Sequence, residues 1–519
     1  MSSLRKVYKI RIATKTIIPI SNGIKGTQSN NNMLYTLSES LCLGDLVAEL
    51  DFSKWAHKIE SCTKYMIFLI VLILSLQVAA QEKWTLEKCI AYGIKNNLQL
   101  MDAGINEKLA GLNYLQSKWN LLPGVNAGVG AGMNYGRSVD PNTNGFVNTS
   151  FFNNSYYLGS SVDLFNGFIL QNQIRYQKFR KEAAENSKLN VQDDLAFEVM
   201  SAFFNVVYYK ELLTIANEQK ALSEMIVKKL QILVSTGLKA QTDLLEVMAN
   251  FEKDELLIIQ TSNMIASSMI GLKKAMNLNP DQQIELAIPE KEQIEVAEIV
   301  SDIPLLYTQH IGWSPSIRLF DSELQASRKI IAISKGGFFP SISLQAGYNT
   351  GFYETNKVDN QTIAFNRQIR NNRSQYVGAS LNIPLFSRNA VRFDVQRARL
   401  SFEQSQAKLE LAKQTVRYEI EETYNELTAS WKELQQSEKQ MQADTLAFQA
   451  AQKKYDQGMI NAVELYTTKN RMANTASLVL HSKLTYEMKK RMLGFYKGER
   501  FWEEEEEKGR RGESEKVRK

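Results

Sequence analysis

LVSTGLKAQTDLL (Leu233–Leu245) and YDQGMINAVEL (Tyr455–Leu465) are two versions of one turn, and their reading decides the fold. Each sets one glycine after a long run that has none, then a short polar stretch, an acid and a leucine. From Phe168 to Thr236 there is neither glycine nor proline, and the same holds from Ser387 to Gln457. Apolar residues recur at helical spacing, as in Leu195, Val199, Ala202, Phe203 and Val206. About seventy residues at ~1.5 Å each reach roughly 105 Å, several times the width of a globular domain. Gly237 and Gly458 are therefore expected as helix C-caps, where a left-handed residue ends one arm of a hairpin and starts the return.

Working outward, each hairpin is preceded by two short alternating segments. WNLLPGVNAGVGAGMNYG (119–136) resembles GGFFPSISLQAGYNTG (336–351), and YYLGSSVDLFNG (156–167) resembles QYVGASLNIPLFSR (375–388). In the first, Val125, Ala127, Val129, Ala131, Met133 and Tyr135 alternate with Asn126, Gly128, Gly130, Gly132 and Asn134. Its counterpart sets Ile342, Leu344, Ala346 and Tyr348 against Ser341, Ser343, Gln345 and Asn349. Tyr156, Leu158, Val162 and Leu164, then Val377, Ala379, Leu381 and Ile383, do likewise in the second pair. Period two predicts strands with one apolar face, at about 121–136, 155–165, 340–350 and 375–386. Residues 137–155 and 352–374, rich in Asn, Ser, Gln and Arg, read as long loops that need water.

A helical stretch precedes each first strand, at 85–119 and 315–335. The two halves repeat at about 220 residues, far beyond solenoid periods, so the chain holds a duplicated domain. The organisation expected is a first repeat at 81–278, an inter-repeat equatorial segment at 279–312 and a second repeat at 313–497. A charged tail at 498–519 is expected to be disordered. MIFLIVLILSLQVAAQ (Met66–Gln81) holds a run of about ten apolar residues, too short to span a bilayer and suited to a signal peptide. Lys58 and Lys64 precede it, and Val78-Ala79-Ala80 places the expected cleavage before Gln81. Residues 1–65 read as an over-long translation start, with a genuine extension as the alternative.

Composition excludes several classes. A net charge of +6 over 519 residues, without a basic stripe, gives no nucleic-acid footprint. Of Cys42, Cys62 and Cys89 only the last follows the export signal, so neither a disulfide framework nor a thiolate metal site is expected. The three histidines, His57, His310 and His481, lie far apart, and no catalytic or nucleotide-binding motif appears. Met264, Met269 and Met276 read as packing residues, as does the cluster Phe203, Phe204, Tyr208 and Tyr209. No enzyme activity and no cofactor are expected.

The strands carry the argument about place. In lipid every backbone polar group must find a partner, so an open sheet of four amphipathic strands cannot persist there. Closed bacterial barrels begin at about eight strands. Copies of the chain must therefore join, and helices of this length must project into water, since the hydrocarbon core is about 30 Å thick.

Residues 83–497 resemble the TolC family of outer-membrane efflux and secretion ducts. The likeness rests on TLEKCIAYGIKNN, on Pro123 and Pro340 where the first strands begin, on SLNIPLFSR and on the two glycine turns. It implies a mainly α fold with a small β-barrel part, built from duplicated strand–strand–long helical hairpin repeats. Three copies would form a 12-stranded β-barrel that continues into a long α-helical barrel across the periplasm. The implied partners are two further copies, outer-membrane lipid, a periplasmic membrane-fusion adaptor and an inner-membrane pump. The implied function is a passive export duct in a tripartite efflux or type I secretion system. A periplasmic coiled-coil adaptor or scaffold is the alternative, although adaptors typically carry one hairpin.

Carried over by position, the resemblance implies a gate at the periplasmic mouth. Tyr455 would brace the closed state against Asp243, and a Tyr–carboxylate bond is worth ~1–2 kcal/mol. Glu464 would form an acidic ring in the trimer. Ile460 stands where a basic gating residue occurs in the family, and Thr467 where a second acidic ring would lie. Gly237 with Leu238, and Gly458 with Met459, would form the tips that receive the adaptor.

Overall fold

The computed structural model describes residues 83–139, 143–287, 302–359, 361–500 and 502. The expected extension, the signal peptide, residues 288–301 of the inter-repeat segment and the tail from 503 onward lie outside the described residues. In the first repeat, α1 (Leu86–Asn96) and α2 (Leu98–Trp119) lead into β1 (Gly124–Val139) and β2 (Phe146–Asn166). The hairpin α3 (Ile169–Ser235) and α4 (Gln241–Ala275) follows. The second repeat runs α5 (Ile303–Trp313), α6 (Pro315–Gly336), β3 (Ser341–Tyr353), the short β4 (Lys357–Val358) and β5 (Gln361–Thr362), and α7 (Phe365–Asn371). Then come β6 (Ser374–Asn382), α8 (Ala390–Asp456) and α9 (Ala462–Lys497). Both long arms, α3 and α8, have 67 residues. α5 has the same length as α1, 11 residues.

Local chemistry sets the helix starts. The Thr85 hydroxyl accepts from the Lys88 amide at 3.2 Å, and Asn97 Oδ1 accepts from the amides of Gln99 and Leu100. Each satisfies amides that a helix start leaves without carbonyl partners.

The strands form one antiparallel sheet in the order β1-β2-β3-β6. Register places Val125, Val129 and Met133 opposite Ser160, Tyr156 and Phe152, then carries that face through Tyr348, Ala346 and Leu344 to Val377 and Ala379. The opposite face is rich in glycine, serine and asparagine and includes Tyr157 and Tyr376. Tyr157 lies over Gly128 and Tyr376 over Gly347, so that a Cβ at either glycine would sit 2.3 or 2.2 Å from a ring carbon. A bulge between Asp163 and Phe165 pairs Phe165, not Leu164, with Ile342. Leu164 therefore leaves the apolar face expected for it, because one extra residue reverses the alternation.

The first expected loop is mostly strand. Arg137, Ser138 and Val139 pair with Asn148, Val147 and Phe146, since a polar sequence still pairs when its neighbour offers a ladder. In the second loop, α7 occupies the edge of β3 beyond the end of β6. Gln368 accepts from the Tyr353 amide and donates to the Tyr353 carbonyl, both at 3.0 Å, as a neighbouring strand would.

Helices continue the order of the strands. α3 packs between α2 and α6, and α6 packs against α8. Lower down, α3 pairs with α4, α8 pairs with α9, and α9 packs on α3. One apolar core gathers α1, α3, α5, α8 and the end of α9 around Ile90, Val199, Phe203, Ile420 and Tyr486. Trp502, just before the acidic run, is buried in it against Phe197 and Phe495. Cys89 sits there too, its thiol pushed up to about 12 by burial, as an apolar packing residue. Met276 and Phe203 are buried, but Met264 is exposed on α4 rather than packed. His310 is enclosed by Trp313, Phe495 and Tyr496, and burial lowers its pKa to about 4.

Candidate functional site

The second core closes the tips. Ile226 and Leu230 of α3, Leu244 and Val247 of α4, Phe448 and Tyr455 of α8, and Leu465 and Tyr466 of α9 meet there. Both turns have one backbone geometry. Gly237 and Gly458 each adopt φ +74. The Gly237 amide donates to Val234 and the Leu238 amide to Leu233, while Gly458 and Met459 donate to Tyr455 and Lys454. These are two Schellman closures, which use the carbonyls a helix end leaves free. The side chains of Leu238 and Met459 stand out at 71% and 68% exposure. Beyond the turns the repeats differ. Asn461 Oδ1 caps α9 by accepting from the Glu464 amide at 2.9 Å, whereas Ala240 starts α4 with no side-chain cap.

Of the residues expected at the gate, the chain brings Tyr455 and Asp243 near one another without joining them. Tyr455 is buried in the tip core and its hydroxyl has no hydrogen-bond partner among the described residues. Burial raises its pKa, and the negative charges of Asp243 and then Asp456 raise it further. The expected Tyr455–Asp243 hydrogen bond is thus not made within the chain. The link between hairpins at this level is instead Lys229 of α3 with Asp456 of α8, at 2.6 Å and half exposed. Glu464 is exposed in the first turn of α9, where a carboxylate favours the helix N-terminus. Ile460 packs on the tip core, and Thr467 donates back to the Val463 carbonyl.

Above the tip lies a buried polar cluster that sequence reasoning missed. Lys469 of α9, 0% exposed, reaches Asp254 Oδ2 of α4 at 2.5 Å and Ser223 Oγ of α3 at 2.6 Å. Ser223 also donates to Asp254. Burial lowers the Lys469 pKa, and the Asp254 carboxylate opposes that shift. In the second hairpin Thr475 Oγ1 of α9 donates to Asp444 Oδ2 of α8 at 2.8 Å, and Arg471 Nε donates to Oδ1 at 2.7 Å. The interval that separates the tip glycines also separates Ser223 from Asp444 and Asp254 from Thr475. Aligning the repeats on Gly237 and Gly458 was the signal that could have found the cluster. Among the described residues no group of acids, histidines or cysteines is arranged to hold a metal ion.

The sequence matches the family model described as outer membrane efflux protein over residues 93–278 and 306–489. It is 21% identical over 398 residues to the outer membrane protein TolC of Vibrio cholerae, covering 76% of this chain and 85% of that one. Protein CyaE of Bordetella pertussis is 25% identical over 252 residues, covering 48% of this chain and 50% of its own length. Among solved structures, the outer-membrane channel OprN aligns with a TM-score of 0.69 at 17% identity, over 80% of this chain and 89% of its own. VceC of Vibrio cholerae aligns with a TM-score of 0.69 at 13% identity, over 80% and 96%. At such identities the structural likeness shows the fold alone.

Proposed function

The chain belongs to the outer membrane efflux protein family, and from that premise we propose that it is a passive export duct linking a periplasmic adaptor and an inner-membrane pump to the cell exterior. The family is one of channels, not enzymes, and its members sit in the outer membrane with their helices in the periplasm. The cargo belongs to tripartite efflux or type I secretion, and the pump supplies the energy.

The observation that carries this reading is an unfinished sheet. Among the described residues β1 and β6 each lack an outer neighbour, and both are exposed along almost their whole length. A soluble sheet of four strands buries one face on a core. Here the apolar face suits lipid, and the glycine-rich face, with Tyr157 and Tyr376 lying flat, suits an aqueous lumen. Three copies would supply twelve strands, enough for a closed barrel.

At the mouth, Leu238 and Met459 with their glycines offer the adaptor exposed apolar tips. Tyr455, Asp243 and Glu464 form the gate region, in which Tyr455 acts by packing and Asp243 through its charge. Purified protein in a planar bilayer should show stable single-channel conductance and run as a heat-sensitive trimer. A soluble monomer without conductance overturns the duct. Tyr455→Phe with Asp243→Ala should raise resting conductance; unchanged conductance removes the gate assignment and leaves the duct.

A further inference from the structure

Resting on the reading of the chain as a membrane-embedded duct, we propose that the junction of α6 and α8 beside the sheet binds the headgroup of an anionic phospholipid. Lys335 in the last turn of α6, with Arg392, Gln396 and Arg399 on α8, lines a cavity of about 420 Å³ together with Phe338 and Phe339. At ~100° per residue the three α8 side chains fall within about 60° of one another. Lys335, Arg392 and Arg399 are exposed, and none forms an ion pair with a carboxylate among the described residues. The acids beside them in sequence do not answer them. Asp394, on the far side of α8, pairs with Arg397, and Glu403 makes no ion pair with Arg399. Three cations sharing one cavity without a counter-charge fit a phosphate group, which guanidinium groups bind through parallel hydrogen bonds.

The place of the cavity in the fold says which phosphate. Phe338 and Phe339, each 51% exposed, directly precede Pro340 and β3, while Leu385 and Phe386, 92% and 81% exposed, separate β6 from α8. Large apolar groups standing this free beside a lipid-facing sheet suit contact with acyl chains. Headgroups extend about 5–7 Å beyond the hydrocarbon on each side, which brings Arg392, in the first turn of α8, into their layer. Arg399 lies roughly 10 Å farther along the axis. Helix side chains lean toward the helix N-terminus, here toward the sheet, and the long arginine stem carries the charge back to the same layer. α8 also begins without a side-chain cap, so the positive end of its dipole adds to the attraction. A cation cluster facing water alone needs no phenylalanine pair in its cavity. A phospholipid brings a partner for each.

The first repeat keeps the outline of this site without its free charge. KWNLLP (118–123) and KGGFFP (335–340) both set a lysine before an apolar pair and a proline. Counted back from the tip glycines, however, Gln171 stands where α8 has Arg392. Lys178, the counterpart of Arg399, pairs with Glu182, and Lys118 lies over the ring of Tyr114. Arg175, at the position of Gln396, is the one counterpart there with neither an ion pair nor a ring contact among the described residues. Each copy therefore carries one headgroup site, in the second repeat, and the first repeat is its internal control.

Native mass spectrometry of the full-chain protein, released from micelles doped with phosphatidylglycerol or with phosphatidylcholine of the same acyl chains, counts bound lipids and ranks their affinity. Phosphatidylglycerol should bind at one lipid per copy and the zwitterionic lipid much more weakly, with the difference shrinking as salt is raised. Arg392→Gln and Arg399→Gln should each weaken phosphatidylglycerol about fivefold. Arg392→Lys with Arg399→Lys should retain most of the binding, and Lys118→Gln with Lys178→Gln should leave it unchanged. Equal affinity for the two lipids in the unaltered protein overturns the site without recourse to any variant. So does a preference that survives Arg392→Gln with Arg399→Gln. Displacement of phosphatidylglycerol by an equal concentration of glycerol 3-phosphate means that the cavity takes free phosphate, and overturns the lipid as its occupant. A conducting trimer with no lipid preference removes the site and leaves the duct standing. A monomer without conductance removes both.

Discussion

The two hairpins share a backbone and differ in their charges. Arms of equal length end in the same Schellman turn, and each hairpin carries a hydroxyl–carboxylate pair at the same height. In the first the hydroxyl is Ser223 on the descending arm and the carboxylate Asp254 on the returning one; in the second Asp444 and Thr475 exchange these roles. Asp254 is then bound by Lys469, which crosses from the other hairpin and is fully buried. Asp444 is bound by Arg471 of its own hairpin, half in water. The duplication kept the positions that need polar partners and reassigned the cation. One ion pair couples the hairpins, and the other stiffens a single one.

The largest test of this contrast removes the cations in turn. Lys469→Met leaves Asp254 buried without its partner and should cost about 3–5 kcal/mol, read as a fall in the thermal midpoint of the solubilised protein. Adding Asp254→Leu should recover much of that loss, because the uncompensated charge goes with it. Arg471→Met should cost less than Lys469→Met, since the guanidinium it removes is half in water and Thr475 still donates to the Asp444 carboxylate. Equal losses would mean that the two pairs are equivalent despite their burial.

The turns should behave alike where the ion pairs do not. Gly237→Ala and Gly458→Ala each force a side chain into a left-handed conformation, at about 1–2 kcal/mol. Similar drops in midpoint for both would confirm one shared geometry. Beyond the turns the symmetry ends again. Asn461→Ala should cost about 1 kcal/mol by removing the cap of α9, whereas Ala240→Asn should stabilise α4 by up to a similar amount. Hydrogen exchange of the first-turn amides in each helix would report both changes.

Acid gives a finer comparison. The Thr475 hydroxyl, and then Arg471, hold the Asp444 carboxyl below the ordinary aspartate range. A carboxyl whose pKa falls on folding stabilises above its unfolded value and loses that contribution as pH drops through its native value. The Asp444 contribution should therefore persist through neutral and mildly acidic pH and vanish below the ordinary aspartate range. Thr475→Val should move that loss to higher pH, by the weight of one hydrogen bond at about 1 kcal/mol. Midpoints recorded along an acid series in both proteins would show the displacement or refute it.

The duplicated layout, both tip glycines, the long arms and the alternating strands were readable from Gly237, Gly458 and the runs around them. Each depends on a residue's own backbone preference or on a short period. The ladder from Arg137 to Val139, the bulge that displaces Leu164 and the burial of Trp502 were not readable, because each depends on a neighbour distant in sequence. The gate pair shows the same divide. The resemblance paired Tyr455 with Asp243, but packing buried the tyrosine with its hydroxyl lacking a partner among the described residues.

By itself, then, the sequence determined a twofold chain of strands and helical hairpins that leaves its own sheet open, since periodicity and glycine positions are local properties. Tertiary structure alone decided which charges meet. Lys469 finds Asp254 because three helices converge on one dry point, where an unpaired charge is costly and its nearest opposite becomes its partner.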